Sequence, residues 1–256
     1  MLHVYLHPFM QKKIRVGAVS YLNTKPLIFG FQQGQLANEM ELILDYPAQL
    51  ASMLQKSKID IALLPVAAMQ NIPEARIISP YGIASDKQVA SVCLFSHVPI
   101  EEIQEIYLDY QSRTSVALLR ILLRDYWQIR PMLLEADEQY IDQIKGKTAG
   151  IIIGDRALSH LDKFPHHYDL AEAWHEHTQL PFVFAAWVSN QELPESFLSK
   201  FNATILESLN HVDEIIAQNP FPDYDLKTYY TKNISYHLDE EKQKGLTIFQ
   251  KLLSQL

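Results

Sequence analysis

The sequence predicts an α/β protein folded as two lobes, and three observations carry that expectation. Short apolar runs of strand length alternate with helical patterns along most of the 256 residues, the arrangement of mainly parallel strands with helical crossovers. A strand-to-helix corner bearing polar groups recurs three times, at Ser20–Leu27, Asp109–Ser115 and Gly154–Leu158. Two strands, one near 89–96 and one near 182–188, are placed to cross between lobes and would put a hinge beneath a cleft. The expected lobes are 10–90 with 186–256, and 91–185.

The apolar run from Ile14 to Val19 reads as a buried strand. It leads into Ser20-Tyr21-Leu22-Asn23-Thr24-Lys25-Pro26-Leu27, where Thr24 is placed to cap a helix and Pro26 to stiffen its first turn. Free N–H groups at a helix start, two hydroxyls, an amide and an ammonium together suit an anion; the alternative is a plain cap with a surface lysine. Met40–Asp45 reads as a second strand, a helix follows from Pro47, and Ile59–Leu64 reads as a third strand ending at Pro65. Arg76–Ile78 is a candidate fourth. Gln88–Ser96 reads as a longer strand, after which Ile106–Leu108 opens a new unit whose helix, Val116–Leu123, is apolar enough to be buried. The start of that helix, Ser112–Ser115, is a second anion site by the same logic. Ala149–Ile153 is the next strand, and Gly154 allows close backbone approach at the third corner, where Asp155 either belongs to a binding loop or is satisfied by Arg156. Leu180–Val188 reads as the strand returning to the first lobe. From Pro194 onward helical patterns alternate with a proline-rich break at Asn219–Pro222 and close on a helix holding Leu246, Phe249 and Leu253.

Composition narrows the function. A net charge of −8, with no concentrated basic face, argues against nucleic acid as a partner. A small anionic ligand remains compatible, because charges more than roughly 8 Å apart are largely screened at physiological salt. No run approaches the ~20 apolar residues a membrane-crossing helix needs. The first nine residues lack the pattern of an export signal, and they read as an upstream start or a disordered tail. A cytoplasmic protein, monomer or homodimer, is expected. The single cysteine, Cys93, fits a reducing compartment and reads as a small core residue. His166-His167 and His175-x-His177 read as solvated polar positions in a loop and a polar helix, so neither a metal nor a cofactor is expected. Motifs for serine hydrolysis, zinc proteolysis and nucleotide binding are missing from the sequence. The polar residues at the corners, together with Ser91, are good hydrogen-bonders and poor bases.

Taken in order, five segments make the chain similar to the chorismate dehydratase family of the futalosine route to menaquinone. They are Ser20-Tyr21-Leu22-Asn23-Thr24-x-Pro26-Leu27, Ala90-Ser91-Val92-x-Leu94-Phe95-Ser96, Ser112-Arg113-Thr114-Ser115-Val116-Ala117-Leu118-Leu119, Ile153-Gly154-Asp155-Arg156-Ala157-Leu158 and Leu180-Pro181-Phe182-Val183-Phe184-Ala185. The chain departs from the family pattern at Ala18-Val19, where members often carry an arginine, and at Gln179, where they carry a glycine. The resemblance implies a two-lobed fold like type II periplasmic binding proteins, with two crossing hinge strands. It implies dehydration of chorismate to 3-[(1-carboxyvinyl)oxy]benzoate, by loss of the C4 hydroxyl and the C3 proton. In that reading Asn23 and Ser91 act at the reacting face, and Ser112, Thr114 and Ser115 grip a carboxylate, where Arg113 either adds charge or points away. Ser20, Tyr21, Thr24, Gly154 and Asp155 complete the substrate-binding set. The substrate's own enolpyruvyl carboxylate is a candidate proton acceptor. The alternatives are a non-catalytic anion-binding protein of the same fold, or the related dihydroxynaphthoate synthase activity.

Overall fold

The computed structural model describes residues 13–256, so the expectation for residues 1–9 lies outside the described residues. The first lobe begins with β1 (Ile14–Ala18), a short 3-10 turn at Leu22–Thr24, and α1 (Lys25–Gln32). It continues through β2 (Met40–Leu44), α2 (Pro47–Gln55), β3 (Ile61–Pro65) and β4 (Arg76–Ser85). The second lobe holds β5 (Val92–Ser96), β6 (Glu105–Leu108), α3 (Arg113–Asp125), β7 (Met132–Glu135), β8 (Thr148–Ile153), α4 (Asp155–Leu158), β9 (His166–Asp169) and α5 (Leu170–Thr178). The chain then returns as β10 (Phe182–Ser189), followed by α6 (Glu195–Ser208), α7 (Val212–Gln218) and α8 (Leu226–Thr228). A π-helical turn at Tyr229–Asn233 leads into β11 (Ser235–His237) and the closing α9 (Glu240–Leu253).

The strands form two sheets, ordered β11-β4-β10-β3-β1-β2 and β7-β6-β8-β5-β9. Both are mixed, which corrects the expectation of mainly parallel strands. β1 pairs in parallel with β2 and β3, and β6 with β7 and β8, as strand-helix-strand units require. β10 runs antiparallel between β3 and β4, and β5 antiparallel between β8 and β9. Each of these strands enters its sheet from the other lobe, so a crossover helix does not set its direction.

The crossings themselves are short connections, 86–91 and 179–181, that run straight into β5 and β10. Gln88–Ser91, expected as strand, is irregular because Ala90 sits at φ 61 and the N–H groups of Val89 and Ala90 are taken by the Asp169 carboxylate instead of a ladder partner. At the second crossing Gln179 occupies the left-handed region at φ 60 and ends α5, the conformation a glycine adopts at least cost. His166 and His167, expected in a loop, form the edge strand β9 by pairing with the buried β5.

Both faces of β5 are buried. Leu94 belongs to the main core, while Cys93 and Phe95 face a smaller cluster with Tyr140, Ile144, Ile152 and Ala157. Cys93 is fully buried, its thiol bonds to the Ala90 carbonyl at 3.4 Å, and burial pushes it well above its ordinary range, as suits a core residue. Among the described residues no helix is long and apolar enough to cross a membrane.

Candidate functional site

A narrow cleft lies between the two sheets, lined by residues of both lobes. The first lobe lines it with Tyr21, Asn23 and an apolar floor of Leu63, Pro65, Ile83 and Phe184. The other wall carries Ser91, Gln111, Ser112, Thr114, Ser115 and Gly154. No charged side chain is among the lining residues; hydroxyls, amides and backbone groups supply its polarity.

At the first corner the 3-10 turn carries Asn23 into the cleft while Thr24 is fully buried behind it. The Thr24 hydroxyl donates to Asn23 Oδ1 at 3.3 Å and does not cap α1, contrary to its expected role. That bond engages the amide oxygen and leaves the amide N–H groups to face a ligand. Ser20 is exposed and stands outside the cleft lining.

Ser91 is 1% exposed and held from several sides. Its N–H donates to the Val89 carbonyl at 2.8 Å, and its carbonyl accepts the Gly154 N–H at 2.7 Å. The Tyr229 phenol, from the π-helical turn, bonds its hydroxyl at 2.8 Å. The preceding link is pinned by Asp169, whose Oδ2 accepts from Val89 N (2.9 Å) and Ala90 N (2.6 Å) while Oδ1 accepts from Ala171 N (2.9 Å) and Glu172 N (3.1 Å). Burial pushes the Asp169 carboxyl up to about 7, against the pull of these N–H donors. One carboxylate therefore caps α5 and shapes the crossing next to Ser91.

The second corner is the start of α3. Ser112 caps it, accepting the Ser115 N–H at 3.1 Å and donating to Ser115 Oγ at 2.8 Å. Thr114 Oγ1 accepts the Ala67 N–H from the first lobe at 3.0 Å. The N–H groups of Arg113 and Thr114 have no partner among the described residues, so the positive end of a 13-residue helix opens on the cleft. The Arg113 side chain is exposed and lines a neighbouring groove with Tyr110, not the cleft.

Gly154 occupies φ 63, ψ −145, a region essentially closed to other residues; a Cβ there would meet nothing within 4 Å, so conformation and not space demands glycine. Asp155 stands behind it and accepts the Leu22 N–H from the first lobe at 3.2 Å; burial raises its carboxyl despite that bond. Arg156 does not satisfy Asp155. It pairs with the buried Asp109 at 2.7 Å, which also accepts from Tyr140 OH (2.8 Å) and Gln111 N (2.7 Å). This network sets Gln111 at the cleft lip, where its Oε1 accepts from Tyr21 OH at 3.4 Å.

The structure thus brings Tyr21, Asn23, Ser91, Ser112, Thr114, Ser115 and Gly154 to one cleft, with Thr24 and Asp155 supporting it and Ser20 and Arg113 outside. Sequence reasoning missed Gln111, Asp169 and Tyr229. Gln111 adjoins the Ser112 corner and could have been included with it, whereas Tyr229 lies 138 positions from the serine it touches and gives no local signal. Among the described residues no three His, Cys, Asp or Glu side chains converge to hold a metal ion. Chemically, the cleft can bind an anion with neutral donors, and it places no carboxylate or imidazole where a base would be needed.

Residues 14–255 match a protein-family model described as menaquinone biosynthesis. Among curated proteins, the chain is 29% identical over 237 residues to a chorismate dehydratase of Campylobacter jejuni, covering 89% of this chain and 92% of that protein. It is 25% identical over 234 residues to a chorismate dehydratase of Thermus thermophilus, covering 81% and 84%. Among solved structures, a protein of Archaeoglobus fulgidus superposes with a TM-score of 0.74 at 15% identity, covering 97% of this chain and 98% of that one. The alkanesulfonate-binding protein of Xanthomonas axonopodis, bound to MOPS, superposes with a TM-score of 0.66 at 10% identity, covering 96% and 93%. The fold is that of the two-lobed periplasmic binding proteins.

Proposed function

The chain belongs to the menaquinone-biosynthesis family, and on that premise we propose that it is a lyase converting chorismate to 3-[(1-carboxyvinyl)oxy]benzoate and water. The observation that carries the reading is the cleft itself: an anion site of neutral donors with no carboxylate or imidazole among its lining residues. A dicarboxylate substrate suits it. The open end of α3, with Thr114 and Ser115, grips one carboxylate, since oriented N–H dipoles in a dry site bind charge strongly.

In the reaction, the C3–H bond breaks and its electron pair becomes the C3–C4 double bond as the C4–O bond breaks. The substrate's enolpyruvyl carboxylate takes the proton and passes it to the departing hydroxide, so that water is lost and the carboxylate is restored. Aromatisation supplies the driving force, and the protein's share is orientation and charge stabilisation. Asn23 donates from the first lobe and Ser91 from the hinge, both lining the cleft. Gln111 and Tyr21 close the lip. The lobes divide at the two connections, 86–91 and 179–181; support for moving the second boundary ahead of 185/186 is that β10 lies wholly in the first sheet. The protein acts in the cytoplasm, as a monomer or homodimer.

The test is to mix purified protein with chorismate, follow the ultraviolet spectrum and identify the product by mass. Enzyme-dependent loss of one water is expected. Chorismate that binds without being consumed would replace the lyase by a binding protein, and a protein that neither binds nor converts it would overturn the substrate.

A further inference from the structure

Two hydroxyls meet at 2.8 Å where Tyr229 reaches Ser91, and only one can donate. Tyr229 is fully buried, packed among Tyr224 and Tyr230, and its phenol has no partner besides Ser91 among the described residues. If Ser91 donated, the phenol proton would be stranded without an acceptor in an apolar surrounding, at the full desolvation cost of a buried donor. If Tyr229 donates, the proton left over belongs to Ser91, which lines the cleft and has a ligand to give it to. Burial also holds the phenol well above its ordinary range, so it keeps its proton at any working pH. The Ser91 backbone is held in place beside the phenol, its N–H bound to the Val89 carbonyl and its carbonyl to the Gly154 N–H.

We propose that Tyr229 is a positioning residue: its phenol donates to Ser91 Oγ and so turns the serine's own O–H into the cleft, as the donor to the oxygen that leaves the substrate. The chain Tyr229 to Ser91 to leaving oxygen is cooperative, each bond polarising the next as negative charge develops on the departing hydroxide. The π-helical turn at Tyr229–Asn233 is the local device. Its wider turn follows α8, whose cap Asp225 also accepts the Tyr229 N–H through its carbonyl at 2.9 Å, and it seats the aromatic side chain inward against the hinge. The inference rests on the dehydration reading.

The test is a kinetic cycle with chorismate on wild type, Tyr229→Phe, Ser91→Ala and the double variant, each checked for a cooperative thermal transition. Tyr229→Phe keeps the ring and is expected to lower kcat about tenfold with KM within about twofold. In the Ser91→Ala background the same substitution is expected to cost less than about twofold, since nothing remains to orient. Equal losses in both backgrounds, or a kcat within about twofold of wild type for Tyr229→Phe alone, would overturn the role of Tyr229 while leaving the lyase intact. A wild type that does not consume chorismate would instead sink the dehydration reading, and this inference with it.

Discussion

Replacing Asp169 by alanine tests whether one carboxylate holds the hinge. The four N–H groups it accepts belong to Val89, Ala90, Ala171 and Glu172. Glu172 is exposed and can turn to water, but Val89, Ala90 and Ala171 are each 3% exposed or less. Three stranded buried donors at the low end of about 1 kcal/mol each give an expected loss of about 3 kcal/mol. For a chain of this size that corresponds to a fall of about 6–12 °C in Tm. Urea unfolding at about pH 8, where a carboxyl titrating near 7 is ionised, measures it directly. Asp169→Asn should fall between the two, since one amide oxygen replaces one of the two carboxylate oxygens and the NH2 faces donors. The same variants should lose kcat/KM, because Ala90 is held at φ 61 beside Ser91. A loss under about 1 kcal/mol with an unchanged m-value would refute the reasoning, for it would mean the donors are satisfied without Asp169.

Three further outcomes are expected. Asn23→Ala should lower kcat/KM on chorismate by at least about tenfold, and a value within about twofold of wild type would remove Asn23 from the chemistry. Asp60 accepts three bonds from Arg15 and one from Gln191; burial raises its carboxyl, the bonds outweigh burial, and the net shift is downward. Its contribution is therefore present above the ordinary carboxylate range and lost as pH falls through the lowered value, so the stability gap between wild type and Asp60→Asn should be widest near neutral pH and close below about pH 4. In Gly245→Ala, the new Cβ would run into the Pro181 carbonyl, which the Trp174 indole also holds at 3.2 Å. Despite alanine's better helix propensity, a net loss of about 1–2 kcal/mol in urea unfolding is expected.

Legibility in the sequence followed the range of the interaction. The three corners were readable because strand, turn and helix start lie within about ten residues and carry their own signals: Pro26 in a first turn, Ser112 as a cap, Gly154 at a positive φ. Strands β7, β9 and β11 were missed because each is three or four residues long and owes its conformation to a neighbour's ladder, which even recruits the polar His166-His167. Thr24 has the type and position of a cap, yet its hydroxyl bonds to Asn23 instead.

By itself the sequence determined the α/β class, the buried strands, the polar corners and the family pattern, since apolar periodicity and turn chemistry act between near neighbours. Only the tertiary structure decided which corner residues share the cleft, that Arg113 faces a different groove, that β5 and β10 run against their neighbours, and that Tyr229 and Asp169 stand behind Ser91. Those outcomes depend on hydrogen bonds between groups 79–138 positions apart in sequence. Such contacts form only after the lobes have packed, and burial then makes each unpaired donor too costly to leave without an acceptor.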